Sequence, residues 1–302
     1  MKEKKAQFQL ELVFAIIVGA MILFLAIYAA SKTISTYKQQ TSVEISKELS
    51  ILTDPLERGY FSGSAEVITM KSETRIYNKC FSEDFGKNEI KAISKTGLGD
   101  WKEPTIGVPV YKYIFSSSIE ESKNFYIFSK PLDMPFRIAN LVYLTSDNFC
   151  FIQPPEDIRE EIENLKIKNI QLSELLSNCS AESKKVCFEG NCKINVNTYL
   201  NYVEKAGQQL KYSGSSLMYA AIFSDPGIYN CNVKRLVEKI NSVSKIYLEK
   251  SNMLKQRGIS LSDTQLILFI ELTNNSTDLN LINLQAEEVN KQNIENGYKL
   301  WQ

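Results

Sequence analysis

Six cysteines carry the most definite chemistry in this chain: Cys80, Cys150, Cys179, Cys187, Cys192 and Cys231. All six follow a long apolar run near the N-terminus and the count is even. In an oxidising compartment they predict up to three disulfides, with fifteen connectivities open. Cys187 and Cys192 bracket Phe188-Glu189-Gly190-Asn191, a turn sequence. They either face each other across a hairpin or pair elsewhere. The spacing Cys179-x7-Cys187-x4-Cys192, in a chain with no histidine, fits no common zinc pattern, so neither a metal nor a cofactor is expected.

Serine chemistry has its pieces present but out of order. Lys95-Thr96-Gly97, Ser146-Asp147-Asn148 and Ser242-x-x-Lys245 are, one by one, the three motifs of penicillin-binding proteins and serine β-lactamases. In those enzymes the Ser-x-x-Lys motif comes first and opens a buried helix. Here it comes last, in mid-helix on the polar side, and Ser146-Asp147-Asn148 reads as a turn between strands. The commonest general base at neutral pH is missing with histidine, and no Walker loop or Gly-x-Gly-x-x-Gly occurs. The carboxylates of 156–163 read as a solvated helix face. The sequence therefore predicts no catalytic residue and no enzyme.

The elements that would position these residues start with a membrane segment. Residues 12–30, LVFAIIVGAMILFLAIYAA, carry no charge and span roughly 28 Å as a helix, close to the ~30 Å hydrocarbon core of a bilayer. Lysines precede the run and a large domain follows it, which predicts a single-pass protein of the cell membrane, N-terminus cytoplasmic and C-terminal domain extracellular. Beyond it, Ile34, Tyr37, Ile45, Leu49 and Leu52 recur at helical spacing. A helix from about residue 8 to 53 is expected, ended by Asp54-Pro55.

The outer part reads as α+β. Strand-like runs lie at 65–70, 106–115, 124–129, 138–145 and 148–152. Pro154-Pro155 opens a short charged helix, and Asn230 to Arg257 carries an apolar stripe (Val233, Leu236, Val237, Ile240, Val243, Tyr247 and Leu254) stopped by Gly258. A last helix is expected from about Thr277, ending in Tyr298, Leu300 and Trp301. The expected organisation is 1–6 cytoplasmic leader, 7–53 transmembrane and stalk helix, 54–176 β-rich part, and 177–302 cysteine-containing, helix-rich part. Acidic and basic residues balance at 35 each, which gives no electrostatic footprint for nucleic acid. Asn178, Asn274 and Asn275 open glycosylation sequons, as suits surface loops outside the cell.

Lys4-Lys5-Ala6-Gln7-Phe8-Gln9-Leu10-Glu11 resembles the leader of type IV pilin-like proteins, especially the archaeal group with class III signal peptides. Against the pattern Gln-x-Ser-x-Glu-x-x-x-Leu the chain has Gln7 and Glu11, with Gln9 in place of the serine and Ala15 in place of the leucine. The resemblance covers about the first 45 residues. It implies a prepilin-type peptidase cutting between Ala6 and Gln7, with Glu11 as the fifth mature residue. Glu11 would pair with the N-terminal ammonium of a neighbouring subunit, either a second copy or a related pilin-like chain. The residue has a plainer reading too, since a carboxylate in the first turn of a helix is favoured by the helix dipole. Two functions are thus expected: a pilin-like subunit of a surface filament or secretion-type machine, or a signal-anchored ectodomain for adhesion, envelope structure or ligand binding.

Overall fold

The computed structural model describes residues 12–30, 32–33, 46, 65–83, 86–95, 101, 104–188 and 190–301. Ala6, Gln7, Glu11, most of the stalk segment 31–53, the Asp54-Pro55 stop, and Thr96 and Gly97 lie outside these residues. Among the described residues one helix, α1 (Leu12–Ala30), is long and apolar enough to cross a membrane, and its large side chains are exposed along its length. An uncharged, exposed stretch of this length is what a signal or anchor segment presents.

Among the described residues the head is α+β, with two mixed sheets, five α-helices, a short 3-10 helix (Leu176–Asn178) and three disulfides. Sheet A comprises β1 (Ala65–Phe81), β2 (Lys87–Ser94), β3 (Val108–Val110), β4 (Tyr113–Phe115), β5 (Ile119–Asp133) and β6 (Arg137–Thr145), in the order β3, β2, β1, β5, β6, β4. All its pairings are antiparallel except β4 with β6. Sheet B comprises β7 (Phe149–Ile152), β8 (Ile170–Ser173), β9 (Lys184–Cys187), β10 (Ile194–Asn197), β11 (Tyr202–Lys205) and β12 (Gln208–Lys211), in the order β12, β11, β10, β9, β7, β8. The strands β8, β7, β9 and β10 run parallel and the other two antiparallel. The helices are α2 (Glu156–Leu165), α3 (Gly214–Phe223), α4 (Pro226–Gln256), α5 (Thr264–Asn275) and α6 (Leu279–Glu295). Residue 176 falls within the span of sheet B, after β8 and before β9.

The centre of the head is α3. Eight of its ten residues are buried, from Ser216 through Phe223, and it packs on β4, β5 and β6 from sheet A and on β11 from sheet B. A helix apolar on every side is a core helix or a membrane span, and ten residues are too few to span a bilayer. Phe223 meets Phe128 of sheet A at 5.4 Å and Phe149 of sheet B at 4.8 Å, both edge-on, so one side chain joins the two sheets. No local pattern marks this element, since an apolar run of that length suits a buried strand as well as a buried helix.

Sheet A buries both faces. Along β4, β5 and β6, Phe115, Phe128 and Tyr143 belong to the central core, whereas Ile114, Ile127 and Val142 beside them belong to a second cluster with Ile76, Ile90, Ala92, Val110, Phe125 and Leu144. Successive strand residues point to opposite faces, so this second cluster lies on the side of sheet A away from α3. Every one of its buried members is a residue of sheet A, and each is at most 2% exposed. Ser46, in a helical stretch, is also fully buried.

Long-range polar contacts fix α4 to sheet A. Arg235 is 2% exposed and its Nη1 donates to Asn88 Oδ1 (2.7 Å), Asn232 Oδ1 (2.7 Å) and Lys112 O (3.2 Å), while Nη2 donates to Gly86 O (3.3 Å). Its guanidinium lies over the Tyr113 ring at 4.7 Å. Asn88 Nδ2 continues the network to Asn78 Oδ1, and Asn232 Nδ2 to Ile114 O. Gly86 has a φ of +62°, and a Cβ there would lie 2.5 Å from Phe81 O and 2.7 Å from the Arg235 chain, so only glycine fits.

Two expectations require revision. The last helix ends at Glu295, and Tyr298, Leu300 and Trp301 follow it as a returning tail. Asn293 Oδ1 accepts from Leu300 N at 2.7 Å, and Trp301 packs with Phe136 and Tyr247 at 5.4 and 5.2 Å, because Gly297, at φ +65°, reverses the chain. The run 106–115 is also two three-residue strands, β3 and β4, rather than one. They pair with different neighbours, β2 and β6, on opposite edges of sheet A.

Candidate functional site

All six cysteines are paired: Cys80 with Cys231, Cys150 with Cys179, and Cys187 with Cys192. Cys80, at the end of β1, and Cys231, on α4, are 151 residues apart in sequence and join sheet A to the helical layer beside the Arg235 network. The other two bridges are local, with separations of 29 and 5 residues, and they share one small cluster with Ile152 on sheet B. That cluster lies on the face of sheet B away from α3, because Phe149, Phe151 and Val186 at alternate positions belong to the central core. Cys187 and Cys192 do pair with each other, but not across a hairpin as the turn sequence suggested, because β9 and β10 run parallel and the bridge closes the short connection between them.

The serine motifs are held apart by different partners. Ser242 Oγ donates to Glu238 O on the same helix, and both Ser242 and Lys245 are exposed. Ser146 donates through N (2.7 Å) and Oγ (2.5 Å) to Glu120 Oε2, and Ser117 N donates to Glu120 Oε1 (3.1 Å). Glu120 is 2% exposed. Burial pushes its carboxyl above the usual carboxylate range, and the Ser146 and Ser117 donors act against that shift. It ties the β4–β5 turn to the β6–β7 turn, where the chain passes from one sheet to the other. The three sequon asparagines, Asn178, Asn274 and Asn275, are all exposed.

A concave site lies at the starts of β9 and β10, beside the local disulfides. It is an open cavity of about 980 Å³ lined by four lysines (Lys184, Lys185, Lys193 and Lys205), one carboxylate (Glu182), and apolar residues including Leu176 and Ile194. Three short strands bring the lysines together. Lys184 and Lys185 open β9, Lys193 precedes β10, and Lys205 ends β11. The turn after β11 has Ala206 at φ +53° and Gly207 at φ +71°, the pair of positive angles that a tight two-residue hairpin requires.

Lys205 is the unusual member. Its Nζ donates to Ile222 O (2.9 Å) and Ser224 O (3.0 Å), two carbonyls left open at the end of α3. A cation there suits the negative end of the helix dipole. Burial, with the nearby charge of Lys184 adding to it, pushes Lys205 down to about 8, and Asp225, Asp147 and Glu120 act in the opposite direction. Lys184 pairs with Asp147 at 2.5 Å. The side chains of Lys185 and Lys193 make no hydrogen bond or ion pair among the described residues. No group of three or more metal-ligating side chains occurs among the described residues.

Nothing in the sequence marks this cavity. Its lysines are scattered over 22 positions of ordinary polar sequence, and only the adjacency of β9, β10 and β11 makes them neighbours. Compared with protein families, with curated proteins and with solved structures, the chain matches none.

Proposed function

We propose that this protein is a single-pass, membrane-anchored subunit of a pilin-like assembly, with its N-terminus in the cytoplasm and its head outside. The observation that carries this reading is the joining of an uncharged helix of membrane-spanning length to a head in which every cysteine is disulfide-bonded. Disulfides persist in oxidising compartments, and a helix whose large apolar side chains are exposed along its length is available to lipid or to other helices. The pilin-like part of the reading rests on the leader, where Gln7 and Glu11 stand in the register described above. A stalk along 31–53 supporting the head is consistent with the buried Ser46 and with the buried outer face of sheet A. Glu11 then matters for assembly, since an ionised group beside lipid is costly unless a partner charge meets it.

Intact mass or N-terminal sequencing of protein from its native host tests the reading. A chain that starts at Gln7 supports it, while one that starts at Met1, or after Ala29, removes it. Glu11→Gln separates the two roles of that residue: loss of assemblies with normal membrane insertion supports pairing, and wild-type assemblies leave only the dipole effect. The basic cavity favours a second reading, a signal-anchored ectodomain that binds a ligand.

A further inference from the structure

We propose that the cavity at the starts of β9 and β10 binds the phosphate groups of an anionic ligand, through Lys185 and Lys193 with Lys184 and Lys205 behind them. The inference goes beyond assembly and does not depend on how the leader is processed. Four lysines face one carboxylate across a concave surface of about 980 Å³, in the size range of small-ligand sites. Concave surfaces lined by one sign of charge over low-dielectric walls concentrate counter-ions. The walls here include Leu176, Ala181 and Ile194.

The chemistry of the cations selects the ligand class. No arginine lines the cavity. Lysine is a compact point charge with three donors and a recurrent binder of phosphate. Several lysines from different strands can meet the oxygens of one multiply charged phosphate group from different sides. Asn191 also lines the cavity and adds a neutral donor, whereas the Ser183 hydroxyl is already given to Ser180 O. Lys185 and Lys193 are not used elsewhere in the head, which leaves their charge to a ligand, and Lys193 is exposed. The phosphate can belong to a soluble ester or to a lipid headgroup, because the site recognises the same oxyanion in both.

The test is calorimetric titration of pyrophosphate into the full-length protein in phosphatidylcholine nanodiscs at pH 8 and fixed ionic strength. Saturable binding is expected, together with net proton uptake, because an anion in the cavity raises the proton affinity of Lys205. The groups that already set that affinity are Lys184, Asp225, Asp147 and Glu120. Replacing both Lys185→Gln and Lys193→Gln should weaken binding at least tenfold and leave the melting temperature unchanged. Repeating the titration in discs containing phosphatidylglycerol identifies the source. Weaker pyrophosphate binding by the wild type, without a matching change in the double variant, shows a lipid headgroup competing for the site, and equal binding in both discs shows a soluble ligand. The proposal is overturned if the wild type shows no saturable binding of pyrophosphate in either disc, or if the double variant keeps wild-type affinity.

Discussion

Sheet A and sheet B each have six strands, yet they are stabilised in different ways. The two longest strands of sheet A, β1 and β5, run for 17 and 15 residues and pair along most of their length, so their ladder satisfies its own backbone. Sheet A needs only to be positioned. A single bridge across 151 residues and one buried arginine network do this, both to α4. Every strand of sheet B has four residues, and four of the six run parallel, a pairing slightly weaker per residue. Two short-range disulfides and an adjoining core helix supply what those strands lack. Where strands are long, cross-links set orientation; where they are short, cross-links hold the strands themselves, and the loops between them are left to form a cavity.

The sharpest test of this contrast is to remove bridges one at a time. In the chain-entropy view, losing Cys80–Cys231 through paired serine substitutions costs about 5 kcal/mol, and losing Cys187–Cys192 about 2 kcal/mol. Urea unfolding of the two variants should show that order. Equal losses would mean that the closed loop length does not govern stability here, and the contrast between the sheets would fail.

A smaller effect is expected from the arginine network. Arg235→Met keeps the apolar stem but removes the guanidinium donor from the Asn88 and Asn232 amide oxygens, leaving Asn88 Oδ1 only the long bond from Ile114 N (3.4 Å), at a cost of about 3 kcal/mol. Amide exchange should quicken at the contact between β2 and α4 and stay at wild-type rates in β9 and β10. Exchange that quickens equally in both sheets would show that the network stabilises the head as a whole.

Glu120, at the passage between the sheets, ranks next. Glu120→Gln turns one acceptor oxygen into a donor facing the Ser146 or Ser117 N–H, and thermal unfolding should report a loss of about 2 kcal/mol. A variant as stable as the wild type would mean that the passage is held by packing alone.

The smallest effect is one of pH. Lys205 in the folded protein titrates near 8 and near 10.4 when unfolded. Between these values the unfolded chain holds more protons, so this group makes stability rise with pH above 8, by at most about 1.4 kcal/mol per pH unit. Asp225, Asp147 and Glu120 resist the shift and Lys184 reinforces it. Lys205→Met should remove this rise, as measured by unfolding at pH 7.5 and 9.5. A rise of the same size in both proteins would assign it to other groups.

What the chain determined by itself is what depends on neighbours in sequence. The uncharged run 12–30 needs no partner to be a helix of membrane length. The stripe of α4 up to Gly258, which sits at φ +85°, and the helix α2 after Pro154-Pro155 follow from local periodicity and local stops. An even set of cysteines beyond an apolar segment announced disulfides without naming the pairs.

Tertiary structure decided the rest. β2 stayed hidden because its buried alternate residues include Asn88 and Ala92 beside Ile90, so the period of two carries little apolar contrast. In sheet B only β7 showed, as the aromatic run at 148–152, and the other four-residue strands are too short to show a period. The disulfide partners, the arginine network and the lysine cavity each join residues from separate elements, and which elements adjoin is set by the strand order of the two sheets around α3. Pairing across 151 residues or convergence of four lysines is a property of that arrangement, since no local preference along the chain distinguishes those residues from others of their kind.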